Sequence, residues 1–303
     1  MRINTTIIIT FAILLSVQVG EARRRRGGGN TPATPEQAAM RAKMLKKIDT
    51  NGDGKMSEEE ILASRLEAAK KRAESGKPER YRMEVITFPK EVQDVDSNMN
   101  KEALFYKPIE QPEGKIPLIV LLHGAGGTKK SDVRSFQENR DVRWTMTPAN
   151  SKYVAKIMVP HSRSHWNPEA LNKAVDHLLS TNDDIDKDRI YCCGYSLGGL
   201  GTWNWARHSP DRLAAIVPVA WKANLDDAEK MINLPIWAIV GTGDRSRAGT
   251  ANAVKKKFVD ELGSKVVRIT NIEGANHGQS AAKAWNQEGL MEWLFAQSLK
   301  NRK

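Results

Sequence analysis

The stretch Gly194-Tyr195-Ser196-Leu197-Gly198 decides the fold of this chain. It lies between an apolar run at residues 190–193 and a helix-like run at residues 200–208. A strand, Gly-x-Ser-x-Gly and a helix in this order predict a sharp strand-to-helix turn with Ser196 at its apex. Glycine fits the two flanking positions, because side chains there would collide with the strand and the helix. The serine hydroxyl would then stand beside backbone N–H groups at a helix N-terminus, where negative charge is stabilised.

A short glycine-rich pattern also describes an ordinary turn, so Ser196 needs partners. Two apolar runs that follow it lie at residues 235–240 and 265–272. Runs of this kind are typical of buried parallel strands. Asp244 follows the first run and His277 follows the second. Strand ends of a parallel sheet share one edge, so we expect the three residues to meet. His277 would take the proton of Ser196, and Asp244 would hold the imidazole.

An earlier loop offers the remaining part of an acyl-transfer site. The apolar strand at residues 118–122 leads into a glycine-rich stretch at residues 123–127. Glycines let the backbone approach a substrate carbonyl, and we predict the N–H groups of Ala125 and Leu197 as oxyanion donors.

Side chains on the same edge of the predicted sheet are candidates for substrate binding. They are His161, His165, Trp166 and Trp221. The alternative for the two histidines is a polar surface loop.

Four stretches of the chain resemble one known group of proteins. They are Arg189-Ile190-Tyr191, Gly194-Tyr195-Ser196-Leu197-Gly198-Gly199, Gly201-Thr202-Trp203 and Pro210-Asp211-Arg212-Leu213-Ala214-Ala215-Ile216-Val217-Pro218. The group is the secreted bacterial α/β-hydrolases: esterases, feruloyl-esterase-like or polyhydroxybutyrate-depolymerase-like enzymes, and enzymes described as predicted peptidases. The resemblance runs from Tyr81 to the C-terminus.

This resemblance implies an α/β-hydrolase fold with a mostly parallel, doubly wound sheet. It also implies the triad Ser196, Asp244 and His277 and the oxyanion loop at Ala125. The group includes many esterases, and an alkoxide leaves more easily than an amine, so we expect carboxylic esters as substrates, polysaccharide-linked or polymeric esters among them. A serine peptidase of the same fold is the alternative. Arg245 and Arg247 stand near the acid, where the group often has an apolar residue and proline, which suggests an altered pocket rim.

Residues 49–60 match the pattern of an EF-hand calcium loop. The predicted ligands are Asp49, Asn51, Asp53, Lys55 through its carbonyl, Ser57 and Glu60. Gly54 occupies the position of the sharp turn, which an acidic helix-capping loop would not require. We find no good second loop, so we expect one structural calcium ion and no cofactor for catalysis.

The rest of the chain sets the organisation. We predict a signal peptide at residues 1–22, a basic glycine-rich linker at 23–33, the EF-hand at 34–76 and the catalytic domain at 81–303. The protein would be secreted or periplasmic, without stable membrane insertion. Cys192 and Cys193 are the two cysteines of the chain and, as strand neighbours, cannot readily bridge each other.

The formal net charge is +11, and four arginines at residues 23–26 contribute to it. This basic arm would suit an anionic cell-surface polymer. Nucleic acid is a poor partner, because the arm is short and lacks aromatic side chains that stack on bases. A rival from another class is a calcium-dependent surface-binding protein with an inactive hydrolase domain.

Overall fold

The computed structural model describes residues 42, 45, 48–55, 57, 60, 63, 64, 80–130, 132–136, 142, 144 and 150–302. The predicted signal peptide and the basic linker lie outside these residues, as do most of the helical residues predicted on either side of the calcium loop. The chain divides into two compact units, Met1–Lys77 and Pro78–Lys303. Within the described ranges, no helix is long and apolar enough to cross a membrane.

The apolar runs of the second unit form a single sheet. Its strands are β1 (Tyr81–Thr87), β2 (Met99–Pro108), β3 (Ile116–Leu122), β4 (Lys156–Ser162), β5 (Ile185–Tyr195), β6 (Ala215–Val219), β7 (Ile236–Gly241) and β8 (Val267–Ile272). Their order across the sheet is β1-β2-β4-β3-β5-β6-β7-β8. The pairings of β2 with β1 and with β4 are antiparallel, and all others are parallel. The predicted mostly parallel sheet is therefore confirmed.

Helices lie between the strands and after β8. Those with described bounds include α1 (Lys90–Val95), α2 (Pro168–Thr181), α3 (Leu197–His208), α4 (Thr250–Val254), α5 (His277–Ala284) and α6 (Leu290–Phe295). The connection between the antiparallel strands β1 and β2 consists of α1 followed by a turn at residues 97–98. Burial of Val92 and an ion pair between Lys90 and Asp94 one turn later stabilise this short helix.

Apolar side chains cover both faces of the central strand β5. Cys192 lies in the cluster that includes Trp203 and Trp205 of α3, and Cys193 lies in the cluster on the opposite face, with Trp293 of α6. Both cysteines are buried and free, as strand neighbours on opposite faces must be. Burial of each large side chain contributes about 1.5–3 kcal/mol, so the end of β5 that carries Ser196 is held rigidly from both sides.

Candidate active site

Ser196 occupies a strained turn between β5 and α3. Its φ and ψ angles are 58° and −119°, a conformation that costs a non-glycine residue about 1–3 kcal/mol. A side chain at Gly198 would bring its Cβ to 1.9 Å from the carbonyl oxygen of Leu122, and one at Gly194 to 2.3 Å from that of Gly198. The close approach of strand and helix thus requires glycine at both positions and holds the serine at the apex.

The structure brings the three predicted triad residues together. Ser196 Oγ lies 2.8 Å from His277 Nε2, and His277 Nδ1 lies 2.6 Å from Asp244 Oδ2. The Asp244 side chain is 5 % exposed. Because the carboxylate accepts the Nδ1–H, this hydrogen-bond network assigns the tautomer whose Nε2 lone pair faces the serine hydroxyl. The imidazole is thereby oriented as a general base for Ser196.

Backbone contacts join the loops that carry the acid and the histidine. Gly243 N donates to Ala275 O at 3.1 Å, and Thr242 N donates to Ile272 O at 3.1 Å. His277 itself is the first residue of α5, behind a capping box formed by Asn276 and Gln279. These bonds fix the start of α5, and with it the imidazole, relative to Asp244.

Tyr195 makes a contact with the histidine that the sequence does not reveal. Its hydroxyl donates to the carbonyl oxygen of His277 at 3.0 Å, and the two rings pack with centroids 5.0 Å apart. The residues lie 82 positions apart in the chain. Tyr195 therefore supports the imidazole from the strand side of the elbow.

The loop predicted to bind the oxyanion lies beside the nucleophile. A Cβ added to Gly124 would be 3.4 Å from Ser196 Cβ. Ala125 opens a 3₁₀ helix, Ala125–Gly127, and Leu197 is the first residue of α3. The first N–H groups of a helix have no partner inside it, so both are available to a developing negative charge.

Two residues predicted to bind substrate support this loop instead, and the prediction for them is corrected. His161 is fully buried; its Nε2 donates to Gly127 O at 3.1 Å, and its Nδ1 accepts from the amide of Asn100 at 3.0 Å. Burial lowers the pKa of His161. Trp166 is also buried and donates its Nε1–H to His123 O at 3.2 Å. Both side chains are buried and hydrogen-bonded beneath the loop.

His123 completes this buried support. Its Nδ1 lies 2.9 Å from the carbonyl oxygen of Gly124, and its Nε2 accepts from the backbone N–H of Ser162 at 3.1 Å. These roles assign a neutral ring with its proton on Nδ1. Burial is the main reason that the pKa of His123 falls to about 4. The neutral, bonded ring is thus the form present at ordinary pH.

The other two candidates for substrate binding lie nearer the surface. Trp221 is half-buried, and a Cβ added to Gly199 of α3 would lie 3.2 Å from its Cβ, so it stands beside the helix of the nucleophile. The guanidinium carbon of Arg247 lies 4.5 Å from the centroid of its ring. His165 is exposed, and the described residues show no contact between its side chain and the triad.

The predicted calcium loop has most of its backbone amides bonded to its own side-chain oxygens. Asp49 accepts from Gly52 N at 2.7 Å and from Gly54 N at 2.8 Å. Further acceptors are Asn51 Oδ1 for Asp53 N, Asp53 Oδ1 for Lys55 N, and the Glu60 carboxylate for Thr50 N and Ser57 N. Among the residues that the structure describes, no group of three or more histidine, cysteine, aspartate or glutamate side chains is arranged to hold a metal ion.

Comparison with known proteins places this geometry in a fold. No family model matches the chain. A solved structure, "Crystal Structure of a Thermostable Esterase", aligns with a TM-score of 0.60 and 25 % identity over 72 % of this chain and 63 % of that one. The chain has the α/β-hydrolase fold. A feruloyl esterase module of Clostridium thermocellum shares this α/β-hydrolase fold with a TM-score of 0.50 and 14 % identity, over 73 % of this chain and 90 % of that one.

Cutinase 1 of Thermobifida cellulosilytica is a curated relative in sequence. It is 26 % identical over 126 residues, which are 41 % of this chain and 47 % of the cutinase. The chain spans less than half the length of the curated relatives it matches. The similarity therefore covers part of the α/β-hydrolase unit, and the activity of the whole protein is a matter for proposal.

Proposed function

We propose that this protein is a serine hydrolase that cleaves carboxylic esters. The observation that carries the proposal is the hydrogen-bonded chain from Ser196 Oγ through His277 to a buried Asp244, with the serine on a strained turn. A nucleophile, a base within hydrogen-bond reach and a group that orients the base are what acyl transfer requires. The likeness to a cutinase and to a thermostable esterase also supports ester substrates.

The geometry supports a two-step reaction. Ser196 Oγ attacks the ester carbonyl while its proton passes to His277 Nε2, and the carbonyl oxygen becomes an oxyanion that accepts from the N–H groups of Ala125 and Leu197. The C–O bond then breaks, and His277 returns the proton to the departing alcohol. Water attacks the acyl-enzyme by the same route, which releases the carboxylic acid and restores the serine hydroxyl.

The proposed substrates are esters carried on a polysaccharide or another polymer. The partial match to a cutinase supports this class, and the half-buried Trp221 supplies an apolar surface beside the nucleophile helix. The acyl and alcohol groups are left to experiment. A peptidase with the same triad would cleave the matching amides as well as the esters, whereas an esterase would leave the amides intact, so a matched pair of substrates separates the two.

The test compares p-nitrophenyl esters of short, long and feruloyl acids with the corresponding anilides. We expect ester turnover that disappears in Ser196→Ala and persists in the matched control Ser164→Ala. Turnover that survives in Ser196→Ala would contradict the serine mechanism. Cleavage of the anilides in addition to the esters would favour the peptidase. A wild-type protein that hydrolyses no substrate, and whose Ser196 is not labelled by a fluorophosphonate probe, would favour the surface-binding protein with an inactive hydrolase domain.

We further propose that residues 49–60 bind one calcium ion as an EF-hand. The donors would be the side chains of Asp49, Asn51, Asp53, Ser57 and Glu60 with the carbonyl of Lys55. The side-chain oxygens of the loop accept hydrogen bonds from its backbone amides, and these bonds hold the segment in a tight turn. Gly52 and Gly54 both have a φ angle of 75° in this turn. Hydrogen bonds from Ser57 and Thr50 lower the pKa of Glu60 to about 2, so this ligand is charged at ordinary pH. The bound ion would stabilise the loop and take no part in ester cleavage.

Calorimetric calcium titration of the full chain tests this site. Asp49→Ala should abolish the binding heat, and Asp94→Ala, outside the loop, should retain it. An unchanged titration in Asp49→Ala would contradict the calcium site.

The proposed export is tested by mass spectrometry. The mature protein recovered outside the cell should have the mass of a chain that lacks residues 1–22.

A further inference from the structure

Arg247 contacts the triad acid on the side away from the histidine. Its Nη1 lies 3.2 Å from Asp244 Oδ1, whereas the imidazole binds Oδ2. The Asp244 side chain is 5 % exposed and that of Arg247 is 20 % exposed. Arg247 Nη1 also donates to Ser246 Oγ at 2.8 Å. One buried carboxylate is therefore shared between an imidazole and a guanidinium group.

The same guanidinium group packs on Trp221. The distance of 4.5 Å from its carbon to the ring centroid is that of a cation–π contact. Trp221 follows β6 and stands beside Gly199, so Arg247 links the acid loop after β7 to the wall beside the nucleophile helix. The stacking fixes the plane of the guanidinium group and leaves its edge free to bind the carboxylate.

We propose that Arg247 is a positioning residue of the triad, which holds the Asp244 carboxylate in the orientation that accepts from His277. The proposal rests on the serine-hydrolase function proposed above. Its physical basis is that the two oxygens of one carboxylate have different partners: the guanidinium group holds Oδ1, and Oδ2 faces His277 Nδ1. A carboxylate fixed in this way keeps the imidazole in the orientation that presents Nε2 to the serine hydroxyl.

Few other side chains share this role. Among the described residues, Ser246 Oγ also donates to Asp244 Oδ1, at the longer distance of 3.4 Å, and itself accepts from Arg247. Arg245 lies on the same loop but is exposed. Removal of the guanidinium group at position 247 is consequently the substitution that changes the support of Asp244 most directly.

The test measures kcat and KM for p-nitrophenyl acetate on the full chain. The variants are Arg247→Gln, which removes the charge, Arg247→Lys, which retains it, and Arg82→Gln, at an exposed arginine on β1, as the matched control. We expect Arg247→Gln to lower kcat by about tenfold with KM little changed, because the carboxylate is no longer held against the imidazole. Arg247→Lys should recover most of the wild-type kcat, and Arg82→Gln should match the wild type.

An unchanged kcat in Arg247→Gln, with only a lower melting temperature, would show that Arg247 has a structural role alone and would overturn the proposal. If Arg247→Gln fails to fold, Arg247→Met is measured in its place and has to show the same loss of kcat, because its side chain can still pack on Trp221. A wild type without ester turnover would instead contradict the proposed function. The two failures are therefore distinguishable.

Discussion

His123 donates its Nδ1–H to the carbonyl oxygen of Gly124, which also accepts from Gly127 N at 2.9 Å, and these bonds set the direction of the next N–H group along the chain. In a planar trans peptide, the carbonyl of one residue and the N–H of the next point in opposite directions. Since the Gly124 carbonyl is turned toward the buried ring, the N–H of Ala125 is turned away from it. The proposed oxyanion donor is thus oriented in part by a buried histidine.

Removal of this orientation should affect the transition state more than substrate binding. Loss of a whole oxyanion donor costs about 10²–10³ in kcat, so we expect His123→Ala to lower kcat by about tenfold or more with KM little changed. Steady-state kinetics on a p-nitrophenyl ester measure both. His208→Ala, at an exposed histidine at the end of α3, is the control and should behave as wild type. A kcat for His123→Ala within twofold of wild type would argue against the orienting role.

The buried His123 should also make folding stability depend on pH. Its pKa is lowered from 6.5 to about 4, so the unfolded chain binds a proton in this range that the folded chain does not. The unfolding free energy therefore falls as pH drops from about 6.5 toward 4, by up to about 3 kcal/mol. The lowered pKa of His161 acts in the same direction. Urea unfolding at a series of pH values measures this loss, most of which should be absent in His123→Gln. A wild type equally stable at pH 6.5 and 4.5 would contradict it.

Two glycines near the elbow should differ sharply in their tolerance of substitution by alanine. Gly198→Ala places a Cβ 1.9 Å from a backbone oxygen of β3, which cannot move without disrupting the sheet, so we expect a loss of more than about 3 kcal/mol in stability. Gly126→Ala meets no atom within 4 Å and should change stability by less than about 0.5 kcal/mol. Thermal unfolding compares the pair. Similar melting temperatures for both variants would mean that the elbow is less tightly packed than described.

The hydroxyl of Tyr195 should contribute to catalysis through His277. Tyr195→Phe removes the hydrogen bond to the His277 carbonyl but keeps the ring packed on the imidazole. A neutral hydrogen bond is worth about 1 kcal/mol, so we expect kcat to fall by about fivefold with KM unchanged. Tyr195→Leu should lower kcat further, because the ring contact is lost as well. Tyr153→Phe serves as the control for a tyrosine outside the site, and equal rates in both phenylalanine variants would exclude the contribution.

Local patterns in the sequence predict the strands, the elbow and the meeting of Ser196, Asp244 and His277. They do so because each of these features depends on a short segment: an apolar run for a strand, glycines for the turn, and polar residues at a strand end for the site. The pattern does not tell which way a side chain on a strand end points. His161 and Trp166 lie at the predicted edge, yet they turn inward and hold the loop at Gly127 and His123. The contact of Tyr195 with His277 joins positions far apart in the chain, so only the folded backbone reveals it.

The central claim is that Ser196 is the nucleophile, and covalent labelling tests it most directly. The full chain is treated with a fluorophosphonate probe and the modified peptide is identified by mass spectrometry. The site predicts one equivalent of adduct on Ser196, loss of ester turnover in step with labelling, and no adduct in Ser196→Ala. An adduct on a different residue, or a folded wild-type protein that hydrolyses esters without labelling at Ser196, would contradict it.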